Sequence, residues 1–150
     1  MRLPVVAAAL FSALALSSCA KDEYLYIDKG WVNLAAVDGN PAAAYFTIHG
    51  GPQADTLIGV SSPVAIRSEM HDMSNEGGVM KMQPLKSVPV PAKGTVEFAP
   101  GGKHVMLFEL RPNYKTGDKI RLDFTFASGE QVYIEALAQS AGAPSPHDKH

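Results

Sequence analysis

Short apolar runs separated by turn residues are the feature that most limits how this chain can fold. In the segment Ile120–Phe126 apolar and polar residues alternate, so its apolar side chains would share one face of a strand. Turns that contain glycine, often beside Asn, Asp or Pro, separate these runs, and the spacing between turns leaves room for one strand each. No segment after residue 20 keeps a helical period. The pattern predicts an all-β chain that folds as an antiparallel sandwich or barrel.

The strand boundaries follow from the positions of these turns. The predicted strands are Trp31–Val37, Ala43–His49, Thr56–Val60, Val64–His71, Val79–Leu85, Gly94–Phe98, His104–Leu110, Lys119–Phe126 and Gln131–Leu137. The chain has 150 residues, of which 46% are hydrophobic and 19% charged, which suits a single domain with a real core. Its formal net charge of -2 provides no basic field for nucleic acid.

The N-terminus resembles an export signal rather than part of the fold. Arg2 precedes the apolar run Leu3–Leu16, which is too short for a stable membrane span. The run ends in Leu-Ser-Ser-Cys, which predicts a lipobox with lipidation of Cys19 and a signal peptide over residues 1–19. Ordinary cleavage after Ala20 is the alternative. Both versions predict an exported protein, with membrane contact only through a lipid.

The remaining chain divides into three parts. Residues 20–29 are predicted to be a tether, residues 30–138 the β domain, and residues 139–150 a flexible tail rich in Ala, Pro, Ser and Gly. The tail carries His147 and His150, which could capture Cu(II) or simply be solvated.

Cysteine usage excludes two kinds of site. Cys19 is the only cysteine, so the mature domain has no disulfide and no thiol-redox motif. A blue-copper electron-transfer centre requires a cysteine beside two histidines, and the folded part has none.

Methionine and histidine cluster in one window of the domain. The chain has six methionines, and all except the initiator lie between Met70 and Met106. The window contains the spaced set His71, Met82, His104 and Met106. Imidazoles and thioethers are soft, neutral donors that suit Cu(I) better than other common biological metals.

Strand geometry supports convergence of these four side chains. His104 and Met106 are two residues apart on a predicted strand, so their side chains lie on one face. A hairpin through Ser74–Gly78 is expected to bring Met82 back beside His71.

Other residues of the window have open roles. Met70, Met73 and Met80 are either core residues or secondary ligands. The acidic residues could also donate to a metal, although a solvated turn is the favoured role; they are Glu69, Asp72 and Glu76. His49 is expected to be structural or exposed.

The pattern His-x10-Met-x21-His-x-Met, with Gly101-Gly102-Lys103-His104-Val105-Met106-Leu107 at its end, resembles the PCu(A)C family of periplasmic copper chaperones. The resemblance covers about residues 30–138 and includes Ala43–Ile48 and Met80-Lys81-Met82. It implies a cupredoxin-like β-sandwich that binds one Cu(I) through the four spaced side chains. His49 departs from the family, whose members commonly carry Asn at that position.

The resemblance also implies a role and partners. The family supplies copper to cytochrome c oxidase assembly, particularly to the copper site of subunit II, alongside Sco-type chaperones. We therefore expect a monomeric copper chaperone, not an enzyme, that resides in the periplasm of a Gram-negative bacterium as a lipoprotein.

Three alternatives remain open at this point. The protein could sequester copper and confer resistance, or it could be a structural lipoprotein with a methionine-rich core. A zinc hydrolase built on His71, His104 and an acidic residue is the weakest, because the matched methionines argue against zinc, which takes nitrogen, thiolate and carboxylate donors.

Overall fold

A computed structural model describes residues 24–148, and these residues form strands and turns without a helix. The strands are β1 Tyr26–Asn33, β2 Ala42–His49, β3 Asp55–Ser61, β4 Ala65–Glu76, β5 Val79–Leu85, β6 Val88–Val90, β7 Thr95–Phe98, β8 His104–Leu110, β9 Lys119–Phe126 and β10 Gln131–Gln139. Between residues 24 and 148, nothing forms a helix with the length and apolarity needed to cross a bilayer. The predicted signal peptide, its cleavage site and Cys19 lie outside the described residues.

The strands form one sheet that folds over a single core. Its order is β5-β4-β8-β2-β1-β10-β9-β3-β6, with β7 paired to β2. The predicted all-β, single-domain sandwich is therefore confirmed, with one difference from a fully antiparallel fold. The β1 and β10 strands pair in parallel, which is possible because almost the whole domain connects them.

Alternating residues of the strands fill the core. The apolar residues of β9 are all buried, as the alternation predicts: Ile120, Leu122, Phe124 and Phe126. The Phe46 ring stacks on Phe98 at 4.4 Å and meets Phe124 edge-on at 4.7 Å between centroids. These contacts join β2, β7 and β9 and hold the folded sheet together.

The first strand begins earlier than predicted. Tyr26, Ile27 and Asp28 pair with β2, inside the segment 20–29 that the sequence suggests is a tether. A bulge follows Asp28, and a Cβ at Gly30 would lie 2.5 Å from Ile134 Cδ1. Because Asp-Lys-Gly is a typical turn signal, sequence alone does not distinguish a bulge within a strand from a turn before it.

The hairpin between β4 and β5 controls the position of several methionines. Strand β4 continues to Glu76, beyond the predicted end at His71, and only Gly77 and Gly78 connect it to β5. Both glycines have positive φ, 63° and 84°, as a two-residue type I′ turn requires. The Asn75 side chain accepts a hydrogen bond from the Gly78 N–H at 2.9 Å. This turn sets the β4–β5 register.

The described part of the C-terminal tail runs as turns beside β1. Asn33 Nδ2 donates to the Ala143 carbonyl at 3.2 Å, and the His147 ring lies 6.1 Å from the Trp31 ring. His150 lies outside the described residues.

Candidate metal centre

Two histidines face each other on adjacent strands. His71 of β4 and His104 of β8 are direct cross-strand partners, and their rings stack with centroids 5.8 Å apart and planes 19° apart. His104 is 5% exposed, and the side chain of His71 is 13% exposed. The sheet thus holds two imidazoles close together and largely out of water.

The main chain determines which nitrogen of His104 carries the proton. His104 Nδ1 lies 3.0 Å from the Gly102 carbonyl oxygen, which can only accept a hydrogen bond. Nδ1 is therefore the protonated nitrogen, and Nε2 presents a lone pair. The same carbonyl oxygen accepts from the Met73 N–H at 3.2 Å, which anchors it between β4 and the start of β8.

The His71 ring is held by a side chain instead. Its Nε2 lies 3.1 Å from Glu69 Oε2, two residues earlier on the same face of β4. Its Nδ1 is buried and has no hydrogen-bond partner among the described residues. A buried polar nitrogen without a partner is uncommon in folded proteins, and His71 Nδ1 is therefore available to a ligand.

Two thioethers lie on the same face as the imidazoles. Met106 pairs with Glu69, two residues along the β4–β8 ladder from the His71–His104 pair and therefore on the same face. Met82 pairs with Met73, and Pro84 is the residue opposite His71. Met82 therefore lies two residues away from direct pairing with His71, because β4 extends to Glu76. Since the period is two, Met82 still shares the face of His71, at a diagonal distance of about 7–8 Å.

The remaining methionines divide between two faces. Met73 lies on the donor face directly opposite Met82, and Met80 lies further out on that face opposite Asn75. Met70 lies on the other face, is 6% exposed and belongs to the hydrophobic core. The structure thus places Met73 and Met80 near the candidate site and Met70 away from it.

The acidic residues and the other histidines have their own partners. Asp72 pairs with Lys103 at 3.6 Å, and Glu76 with Lys81 at 2.6 Å. His49 Nε2 donates a hydrogen bond to Asp28 Oδ1 at 2.9 Å, and the His49 ring stacks on Tyr26, which is a structural role. In the part of the chain from residue 24 to 148, no three His, Cys, Asp or Glu side chains form a metal-binding group.

Neighbouring aromatic residues line the sheet beside the donor face. Met106 pairs with Ala43 of β2, and Tyr45, two residues along, packs on Trp31 with ring centroids 5.0 Å apart. Burial raises the pKa of Tyr45, so its phenol is neutral at physiological pH. Tyr45 therefore adds no charge beside the site.

Two contacts of the site are absent from the sequence-based prediction. The Glu69–His71 contact and the Gly102–His104 hydrogen bond both join residues two apart in the chain. The alternation of side chains along a strand could have predicted the Glu69–His71 contact, because it places Glu69 and His71 on one face. The Gly102–His104 hydrogen bond depends on the course of the loop before β8, and no sequence pattern predicts that course.

Comparison with known proteins agrees with this β architecture. The family model described as "Putative lipoprotein LpqE-like" matches residues 25–137. The chain belongs to the LpqE-like family. The matched residues include every strand except the end of β10, and they contain all four spaced His and Met residues.

Two curated relatives are similar in sequence. A "Putative lipoprotein" of Leifsonia xyli subsp. xyli is 33% identical over 69% of this chain and 62% of its own length. An uncharacterized protein of Rickettsia prowazekii is 31% identical over 62% of this chain and 52% of its own length. The chain thus spans between about half and two thirds of the length of these two relatives.

Several solved structures share the fold. The copper-bound PCuAC domain from PmoF2 has a TM-score of 0.64 and 21% identity, over 77% of this chain and 92% of that domain. Apo-DR1885 from Deinococcus radiodurans has a TM-score of 0.61 and 21% identity, over 96% and 98% of the two chains. The structure of CuI-DR1885 has a TM-score of 0.56 and 23% identity, over 83% of this chain and 82% of that chain.

Proposed function

We propose that this protein is an exported copper carrier that binds one Cu(I) through His71, Met82, His104 and Met106. One observation carries the proposal: two imidazoles face each other on adjacent strands, each with an unprotonated nitrogen, and two thioethers share their face. These four donors fit Cu(I), which is soft and tolerates irregular coordination.

The charge of the donor set favours a carrier over a permanent cofactor site. Imidazole and thioether ligands are neutral, so the bound ion keeps its positive charge. The nearest carboxylate, Glu69, is paired with Arg67 and therefore adds no net charge. Thioethers also do not form disulfides in an oxidising compartment, unlike a pair of cysteines.

The position of Met82 supports transfer rather than storage. Met82 is 50% exposed on β5, which is an edge strand of the sheet. An acceptor protein could therefore reach one ligand while the buried His104 still holds the ion. We propose the copper site of cytochrome c oxidase subunit II, with Sco-type chaperones, as the destination.

Export and anchoring form part of the proposal. The Leu-Ser-Ser-Cys segment ending at Cys19 fits lipidation, and both the family and the Leifsonia relative carry a lipoprotein description. We propose a lipid-anchored protein that faces the periplasm of a Gram-negative bacterium. Capture of Cu(II) by His147 and His150 of the tail stays a separate prediction.

Anaerobic titration with a chromophoric Cu(I) competitor tests the site. We expect one Cu(I) per protein, and a weaker affinity in Met82→Leu and Met106→Leu. Met80→Leu is the matched control, since Met80 lies on the same strand and face as Met82 and is equally exposed. Absence of Cu(I) binding, or equal affinity in all three variants and the wild type, would contradict the proposal.

A gene deletion separates delivery from sequestration. Loss of a carrier should reduce cytochrome c oxidase activity when copper is scarce, and added copper should restore it. Loss of a copper buffer should instead make the cells sensitive when copper is abundant. The second phenotype without the first would contradict the delivery role.

A further inference from the structure

We propose that Glu69 is a positioning residue that makes His71 bind Cu(I) through Nδ1, whereas His104 binds through Nε2. The proposal rests on the copper site proposed above and names the ligand atoms within it. It assigns a role to an ion pair, Arg67–Glu69, that lies beside the donors without being one of them.

The Glu69–His71 contact determines the tautomer of His71. A carboxylate oxygen accepts hydrogen bonds and cannot donate them when ionised, so the nitrogen 3.1 Å from Glu69 Oε2 must carry the proton. That nitrogen is Nε2. The other nitrogen, Nδ1, then presents its lone pair, and it is the atom that is buried without any partner in residues 24–148. A metal ion is the partner that a buried imidazole lone pair fits best.

Glu69 is itself held in place by Arg67. Its second carboxylate oxygen contacts the Arg67 guanidinium, on the same face of β4. The guanidinium lies 4.0 Å from the centre of the Phe108 ring, and Phe108 is the cross-strand partner of Arg67. Stacking on an aromatic face restricts the arginine and so restricts the carboxylate that it holds.

The two imidazoles therefore depend on different kinds of partner. The His104 tautomer is set by the Gly102 main-chain carbonyl, which no side-chain substitution removes. The His71 tautomer is set by a side chain that can be changed. An outer carboxylate of this kind raises the basicity of the ligand and orients its ring.

A direct Glu69–copper bond is the competing role. Carboxylate oxygen is a hard donor and suits Cu(I) poorly. Substitution separates the two roles, because the amide oxygen of Glu69→Gln still accepts a hydrogen bond from His71 Nε2 but carries no charge. Glu69→Ala removes the acceptor altogether. Glu76→Ala is the matched control: it removes the same charge from the same strand, where Glu76 pairs only with exposed Lys81 among the contacts described.

Nitrogen-15 NMR of the histidine rings in the metal-free protein gives the first readout. In the wild type, Glu69→Gln and Glu76→Ala, we expect His71 to be protonated at Nε2 and unprotonated at Nδ1. In Glu69→Ala we expect a mixture of tautomers, with His104 unchanged. A wild-type His71 that is protonated at Nδ1, or an unchanged tautomer in Glu69→Ala, would overturn the proposal.

Cu(I) affinity of the same four proteins gives the second readout. We expect Glu69→Ala to weaken binding by roughly 10- to 100-fold, with much smaller effects of Glu69→Gln and Glu76→Ala. Equal losses in Glu69→Ala and Glu69→Gln would indicate a direct carboxylate ligand and overturn the positioning role, as would no loss in Glu69→Ala. If the wild type binds no Cu(I), the proposed function is wrong. If the wild type binds Cu(I) and Glu69→Ala binds it equally well, only the positioning role is wrong.

Discussion

His71 and His104 are direct partners across β4 and β8, with ring centroids 5.8 Å apart. This places both imidazoles on paired strands of one sheet rather than on loops. Sites built on such strands are held more precisely than sites on loops, so little reorganisation is needed when a ligand binds. Met82 differs, because it lies at the exposed edge of the same face. The candidate site therefore combines two largely buried imidazoles with a thioether, that of Met82, which is accessible at the edge of the sheet.

Methionine substitutions should separate stability from copper binding. Met70→Ala removes a core side chain and should lower the free energy of unfolding by about 2–5 kcal/mol without affecting the Cu(I) affinity of the folded protein. Met82→Ala removes a half-exposed side chain and should change that free energy by only about 0.5 kcal/mol while weakening Cu(I) binding. Urea denaturation and competitive Cu(I) titration measure the two effects. Weaker copper binding in folded Met70→Ala would contradict the assignment of Met70 to the core.

The β4–β5 turn should matter for binding as well as folding. Gly78→Val places a branched residue at φ 84°, which should cost about 1–3 kcal/mol or shift the register. A shifted register moves Met82 relative to His71 and should weaken Cu(I) binding. Gly129→Val is the control, since it introduces similar strain at φ 92° in the β9–β10 turn. Equal copper affinities in the two variants would show that the β4–β5 register does not control the site.

Metal selectivity follows from the donors. Cu(I) at a hundred times its dissociation constant should stabilise the fold by about 2.7 kcal/mol, which is roughly 5–10 °C in Tm for a domain of this size. Stoichiometric Zn²⁺ should produce a much smaller shift, because thioethers are poor zinc ligands. Anaerobic thermal denaturation of the wild type and His104→Ala tests this. If zinc raises the Tm of the wild type as much as Cu(I) does, and this rise disappears in His104→Ala, the zinc alternative is favoured.

Acid stability should depend on Asp55. The Ser128 hydroxyl holds the pKa of Asp55 below its ordinary value, with help from the Thr56 and Ser128 N–H groups. A carboxyl with a lowered pKa in the folded state stabilises the fold above its unfolded pKa, and this contribution is lost as pH falls through the folded pKa. Ser128→Ala should raise the Asp55 pKa in an NMR titration and make stability less dependent on pH in the acid range. An unchanged pKa would contradict the role of the hydroxyl.

Much of the fold could be predicted from alternation and turn residues. The bounds of β5, β8 and β9 agree with the predicted ones, because a glycine-containing turn lies at one or both ends of each strand. Strand β6, Val88–Val90, was missed because it has three residues with a proline at its centre. Its formation depends on pairing with β3, a contact distant in sequence.

The site could be predicted less completely. Spacing and strand period place His104 beside Met106 on one face, but the β4–β5 register required knowledge of where β4 ends. The sequence Ser74-Asn75-Glu76 is polar and resembles a turn, although it forms the end of a strand with paired residues on β5. The Arg67–Glu69 pair near His71 arises from side-chain packing, which alternation of apolar residues does not describe.

X-ray absorption at the copper edge of the Cu(I)-loaded protein tests the central claim most directly. The proposed site predicts one copper with two nitrogen and two sulfur neighbours, and loss of one sulfur in Met106→Leu. A shell of nitrogen and oxygen alone, or a sulfur count that is unchanged in both Met82→Leu and Met106→Leu, would contradict the assignment of these four ligands.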